Sequence, residues 1–311
     1  MKDKPTTSLT DWHQLLQQLQ KGDFKALARS ISLIENEAEG YLEMLESLSP
    51  VVNTSVIGIT GPPGAGKSTL VDALIKQLIN ANKKVAVLCV DPSSPFNLGA
   101  VLGDRIRMST WYTHPNVFIR SLASRGAMGG LHPKIIEITE LLKAAQFDHI
   151  IIETVGVGQS EIEIAGLADP TIVVLVPESG DEIQSMKAGL MEIADIFVVN
   201  KSDRPGADEF IKNLKLMLAP AFNSKKEEIP IIKTIATEQV GILDLVTAIL
   251  AYQKNIAQND RSKWLYIEKI YHLVQKEKMK NVDKKKIEEV IEREQKNGSF
   301  NLYVVAKQFY N

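Results

Sequence analysis

Ser55-Val-Ile-Gly-Ile-Thr-Gly-Pro-Pro-Gly-Ala-Gly-Lys-Ser-Thr69 decides how the rest of the chain is read. An apolar run suited to a buried strand, Val56–Thr60, feeds Gly61-x-x-x-x-Gly66-Lys67-Ser68, and Leu70-Val-Asp-Ala-Leu-Ile75 follows with helical spacing. Strand, glycine-rich loop and helix is the order a phosphate-cradling P-loop requires. Gly61, Gly64 and Gly66 admit backbone angles and close approaches that a Cβ forbids. Pro62, Pro63, Ala65 and Thr69 complete the candidate cradle. Its backbone amides and the helix N-terminus turn the positive ends of dipoles toward phosphate oxygens. Lys67 adds a point charge on the β- and γ-phosphates, and the Ser68 hydroxyl offers a hard oxygen to Mg²⁺. The pattern predicts a nucleoside triphosphate site rather than an ordinary glycine-rich turn.

Working outward, residues 51–254 show short apolar runs rich in β-branched residues and separated by helical stretches. Strands are expected at Val56–Thr60, Val85–Val90, Val117–Arg120, His149–Glu153, Ile172–Val176, Ile196–Val199 and Ile231–Ile235. Continuous apolar strands alternating with helices predict an α/β P-loop fold with a mostly parallel sheet covered on both faces. Ligands then collect beyond the carboxyl ends of the strands. Residues 1–50 read as two helical segments parted at Gly22-Asp23, with Asp23 an N-cap and Ser49-Pro50 ending the second. Residues 255–311 read as amphipathic helices too small for a core of their own, suited to packing on the nucleotide domain or on a second copy.

Composition narrows the classes. The chain has 311 residues, 44% hydrophobic and 24% charged, the balance of an ordinary globular protein. A net charge of -2 argues against nucleic acid as the main partner. The single Cys89 lies within an apolar run and fits a reducing compartment. No apolar run approaches transmembrane length and Met1-Lys-Asp-Lys-Pro-Thr6 has no signal-like core, so a cytoplasmic protein off the membrane is expected.

Asn200-Lys201-Ser202-Asp203 follows the strand Ile196–Val199. A carboxylate placed as Asp203 accepts both N1–H and N2–H of guanine, donors that adenine lacks, so GTP is the expected nucleotide. Glu153-Thr154-Val155-Gly156 ends another strand, where P-loop enzymes keep a Mg²⁺-linked acid and a glycine that senses the γ-phosphate. The acid here is Glu, whose reach favours contact through water. Gln159 is a candidate to orient the attacking water. Asp91 or Asp104 can reach Mg²⁺ and Arg105 or Arg107 can reach phosphate or substrate charge, a reading that stands beside a plain one of helix N-caps and surface charge. Arg120 and Arg125 stay open between nucleotide phosphates and a partner.

These residues carry a resemblance. Gly61–Thr69, Asp91-Pro-Ser-Ser94, Leu102-Gly-Asp-Arg105, Arg125-Gly126 with Gly129-Gly130, Glu153-Thr-Val-Gly-Val-Gly-Gln-Ser160, Gly180-Asp-Glu-Ile-Gln184 with Lys187-Ala-Gly189, and Asn200–Asp203 occur in this order. The series resembles the MeaB/ArgK group of GTPases, over the whole central domain and, through Gly22–Ala28 and Glu35–Glu37, into the N-terminal helices. The resemblance implies a Mg²⁺-dependent GTPase chaperone for adenosylcobalamin-dependent acyl-CoA mutases, chiefly methylmalonyl-CoA mutase. It implies that Lys67, Ser68 and Asp104 lie nearest phosphate and Mg²⁺, with Asp91 and Glu153 around them. It further implies a partner-sensing switch at Glu178–Lys187 (Glu178, Gly180, Asp181, Glu182, Gln184, Lys187) and a homodimer built partly through the C-terminal helices. No built-in arginine finger is evident, so slow hydrolysis accelerated by a partner is expected.

Three rivals remain. A nickel-delivery GTPase shares the architecture but needs soft or imidazole ligands, and the five histidines are scattered. A kinase of a protein or transport component lacks an evident acceptor-activating base. A nucleotide-gated binding module, with hydrolysis only as timer, overlaps the chaperone reading.

Overall fold

The computed structural model describes residues 12–49, 54–91, 108–124, 131–156, 162–179, 192–222, 229–255, 260–279 and 282–309. Seven strands form one sheet: β1 (Ser55–Thr60), β2 (Val85–Asp91), β3 (Val117–Ala123), β4 (His149–Glu153), β5 (Thr171–Leu175), β6 (Ile196–Val199) and β7 (Ile231–Lys233). Their order is β3-β2-β4-β1-β5-β6-β7 and every pairing is parallel. Parallel strands need covered faces, and alternation along each strand supplies them. In β5 and β6, Ile172, Val174, Ile196 and Val198 join one core, with Leu70 and Leu74 of α4 (Lys67–Asn80). Val173, Leu175, Phe197 and Val199 face the other, formed with Phe210 and Leu214.

The expected strands are all present; β4 and β6 match end for end, and the other five differ by one to three residues at an end. β3 runs to Ala123 rather than Arg120, because β2 pairs with it residue for residue from Val85↔Val117 to Asp91↔Ala123. β7 stops at Lys233 rather than Ile235, since Thr234 turns to bond Asn200 and Ile235 bridges antiparallel to Val240.

At the N-terminal side α1 (Trp12–Gln20) and α2 (Phe24–Glu35) match the two expected segments, and Asp23 caps α2, accepting from Lys25 N at 2.7 Å. The second segment ends at Glu35, well before Ser49-Pro50, and a further helix, α3 (Tyr41–Glu46), intervenes. Arg120 is neither free for phosphate nor on the nucleotide side. It pairs with Glu35 and donates to Ser32 Oγ at 3.2 Å, fastening α2 to β3. Lys134 is likewise bound to Glu37 at 2.8 Å and to Glu137 at 3.5 Å. Burial alone would lower its pKa, but the Glu37 hydrogen bond and the Glu137 charge outweigh that and hold it raised.

The chain divides into two compact units, Met1–Ser262 and Lys263–Asn311. The second contains most of one helix (Asp260–Lys278), a second (Lys284–Lys296) capped by Asp283, and a third (Leu302–Lys307) capped by Asn301. Among its described residues only Leu265 and Val305 are buried apolar side chains. No described helix is long and apolar enough to cross a membrane.

Candidate functional site

The chain leaves β1 toward β2 on one side and later places β5, β6 and β7 on the other, so β1 stands at the switch point of the sheet. Crevices beyond the carboxyl ends of strands form at such points. The loop Gly61–Gly66 lies there and opens directly into α4, whose first residue is Lys67. Gly61 has φ 138°, and a Cβ on it would fall 2.1 Å from the Val174 carbonyl oxygen of β5. Only glycine lets the loop start so close to that strand. Lys67 is 7% exposed, and its ammonium donates to the carbonyls of Gly61 at 2.9 Å and Pro62 at 3.2 Å. The lysine is thus folded over its own loop, its charge held at the helix N-terminus where phosphate is favoured. Gly156, φ 81°, abuts it: a Cβ there would sit 2.4 Å from Lys67 Nζ and 2.4 Å from Gly61 O.

Ser68 Oγ donates to Glu153 Oε1 at 2.7 Å in buried surroundings. Glu153, 3% exposed, ends β4; Asp91, 4% exposed, ends the adjacent β2, where Cys89 stands opposite Glu153. Two buried carboxylates at neighbouring strand ends, one already on the Ser68 hydroxyl, make a hard-oxygen set suited to Mg²⁺, which takes few protein ligands and completes its shell with phosphate and water. Among the described residues no three His, Cys, Asp or Glu side chains converge as a metal site. Thr154 continues the contact between the strand ends, its Oγ1 donating to Thr60 Oγ1 at 2.9 Å.

The opposite end of the crevice centres on Asn200, 2% exposed. Its Nδ2 donates to Ala65 O at 2.9 Å, and its Oδ1 accepts from Thr234 Oγ1 at 3.1 Å and from Ala236 N at 3.2 Å. Lys201 Nζ donates to Gly64 O at 2.7 Å. Asp203 follows, exposed. The structure therefore brings the Asn200-Lys201 pair onto the phosphate loop, joining the turn after β6 to the glycine-rich loop after β1. Thr234 and Ala236 were absent from the sequence reading. Their signal, a small hydroxyl residue and a backbone amide just past the last strand, is one that many strand ends share.

Pro63 is exposed and Thr69 half-buried. Glu178 is exposed and paired with Arg204, whose hydrogen bond keeps its carboxyl below the usual range. Asp104, Arg105, Arg107, Arg125, Gln159, Gly180, Asp181, Glu182, Gln184 and Lys187 lie outside the described residues.

Several known proteins resemble this chain. Residues 27–291 match the family described as methylmalonyl Co-A mutase-associated GTPase MeaB. A Pyrococcus abyssi protein named as a GTPase is 45% identical over 254 residues, 80% of this chain and 78% of that protein. The Escherichia coli GTPase ArgK is 41% identical over 193 residues, 60% of this chain and 58% of its own. A Geobacillus kaustophilus protein named fused isobutyryl-CoA mutase is 37% identical over 253 residues, 76% of this chain and 23% of that protein. Among solved structures, a LAO/AO transport system kinase superposes with TM-score 0.68 at 26% identity, covering 97% of both chains. HypB from Helicobacter pylori, with TM-score 0.50 and 19% identity over 74% of this chain and 98% of its own, shares the fold. With the family match over residues 27–291 and a phosphate loop, a buried Ser–Glu pair and a buried asparagine set on one parallel sheet, the chain belongs to the MeaB family of P-loop GTPases.

Proposed function

We propose that this GTPase is a Mg²⁺-dependent switch that gates cofactor loading into, and protection of, an adenosylcobalamin-dependent acyl-CoA mutase, with methylmalonyl-CoA mutase the favoured client. The observation that carries the catalytic half is the buried 2.7 Å contact between Ser68 Oγ and Glu153 Oε1. Mg²⁺ held there would supply electrophilic stabilisation of the phosphates. Ser68 offers the ion its hydroxyl oxygen, Glu153 orients that hydroxyl, and Asp91 and Asp104 are the further oxygen donors. Lys67 turns from the Gly61 and Pro62 carbonyls onto phosphate and stabilises the charge that builds as water attacks. Gly156 senses the γ-phosphate through its amide and Gln159 orients the water. Asn200, Lys201 and Asp203 hold guanine, with Asp203 accepting its N1–H and N2–H.

The mutase half is supported by the family description and by the similarity to a protein named fused isobutyryl-CoA mutase. In this reading Glu178, Gly180, Asp181, Glu182, Gln184 and Lys187 meet the partner. A homodimer is supported by the apolar residues Trp264, Ile267, Ile270, Tyr271 and Val274, which recur at helical spacing and are exposed. The site of action is the cytoplasm.

Hydrolysis of GTP and ATP by the purified chain, alone and with an adenosylcobalamin-dependent acyl-CoA mutase from the same genome, tests the proposal. Slow, GTP-selective turnover that rises with the mutase is the expected result. Turnover indifferent to every such mutase removes the client, and preference for ATP removes the role given to Asp203. The similarity to a transport system kinase motivates one more assay. Labelled γ-phosphate recovered on anything but inorganic phosphate would replace the switch with a phosphotransferase.

A further inference from the structure

The turn after β6 is anchored firmly at its start. Asn200 N donates to Leu175 O of β5 at 2.8 Å, and Ser202 N donates to Thr234 O at 3.1 Å. Lys201 takes a left-handed backbone, φ 55°, and its carbonyl accepts from Arg204 N at 3.1 Å, closing the turn on itself. Asp203 stands at the far side of the turn. It is exposed, and its carboxylate makes no hydrogen bond or ion pair among the described residues. Its position is therefore inherited from its neighbours.

The next residue supplies a second anchor. Arg204 Nη1 donates to Glu178 Oε1 in an ion pair. Glu178 lies in the short turn Pro177–Ser179, just past the end of β5. β5 and β6 are neighbours with Leu175 opposite Val199, so this pair joins the exits of two adjacent strands. The charge of Lys201 also acts on Glu178, so the carboxylate faces two cations of the same turn. Both members of the pair are exposed, at 46% for Arg204 and 49% for Glu178, and such a pair adds little to the stability of a fold. It can still matter to a rate. A base leaves only when the turn that grips it moves away, and small differences in binding appear mostly in dissociation.

We propose that the Glu178–Arg204 pair is a strap that sets how long guanine nucleotide stays bound. It holds the turn bearing Asp203 against the exit of β5, and its opening is a step in nucleotide release. Glu178 and Arg204 are positioning residues that act through Asp203. The proposal rests on the guanine reading of Asp203 given above.

Release of a fluorescent GDP analogue from the full chain, chased with unlabelled GDP at low salt, tests it. Glu178→Ala and Arg204→Ala should each speed release by about threefold, the scale of one exposed ion pair. The double variant should go no further than either single one. Glu178→Arg replaces attraction with repulsion of similar size and should speed release by about tenfold. Adding Arg204→Glu to it should bring the rate back to within about twofold of the wild type. The sign at Glu178 is decisive. If charge acted only through the general field, removing a negative charge near an anionic nucleotide would slow release. Glu178 variants at or below the wild-type rate therefore overturn the proposal. So does a Glu178→Arg rate that the compensating Arg204→Glu leaves where it is, the mark of a turn disrupted for other reasons. Asp203→Asn separates the two readings. If it leaves GDP release unmoved, the guanine reading falls and the proposal with it. If it speeds release while Glu178→Ala does not, the guanine reading stands and the strap falls.

Discussion

Gly156 and Lys67 share a space that admits no side chain on the glycine. A Cβ would meet the ammonium at 2.4 Å, so Gly156→Ala must push Lys67 off the Gly61 and Pro62 carbonyls or strain a backbone at φ 81°. GTP hydrolysis should fall on the order of 10²-fold, the usual cost of misplacing one charge-stabilising group, while the unfolding free energy drops by only about 1–3 kcal/mol of strain. An alanine variant at the wild-type rate would break the link between this glycine and the lysine. Lys67, Ser68 and Glu153 were legible in the sequence because each has a fixed place beside its strand. Thr234 and Ala236 were not, because they act on Asn200 across 34 and 36 residues and one acts through its backbone amide. Arg120 was left open for the same reason: its partner Glu35 lies 85 positions away.

At the scale of the elements, β4 starts in a buried place for a titratable ring. His149, at the head of the strand, is buried, and its Nδ1 has no hydrogen-bond partner among the described residues. Burial lowers its pKa, and Lys83 pushes the same way while Asp148 opposes. The folded chain thus binds this proton less readily than the unfolded chain, whose histidine titrates near about 6.5. The stability contributed is fully present above that pH and is lost as pH falls from there through the folded value. Urea midpoints should therefore decrease from pH 7.5 to 5.5, with a shallower slope in His149→Phe. An unchanged slope in that variant would clear His149 of any part in it. The strands themselves were legible because parallel strands buried on both faces are written as continuous apolar runs. Their ends were not, since β3 is prolonged by its pairing with β2 and β7 is cut short by the turn toward Asn200. The six-residue α3 escaped because its N-cap, Gly40, makes no side-chain capping bond and so leaves little local signature.

On the scale of the whole molecule, the 263–311 unit buries few apolar side chains while Trp264, Ile267, Ile270 and Tyr271 stay exposed. If these residues join two copies, sedimentation of the wild-type chain should show a dimer at micromolar concentration, and Ile267→Asp with Ile270→Asp should shift it to monomer with GTP hydrolysis retained. A wild-type chain that sediments as a monomer throughout would reserve that face for another partner. Asn200 has the widest consequence. Its amide joins the phosphate loop at Ala65 to the loop after β7 at Thr234 and Ala236, binding two distant stretches of chain into one frame. A nucleotide bound to such a frame behaves as a chelate: once one end docks, the other is presented at an effective concentration of order millimolar or above. Guanosine and pyrophosphate offered separately lack that tether, so together they compete poorly with GDP, and the affinity of this site belongs to the connection between its halves.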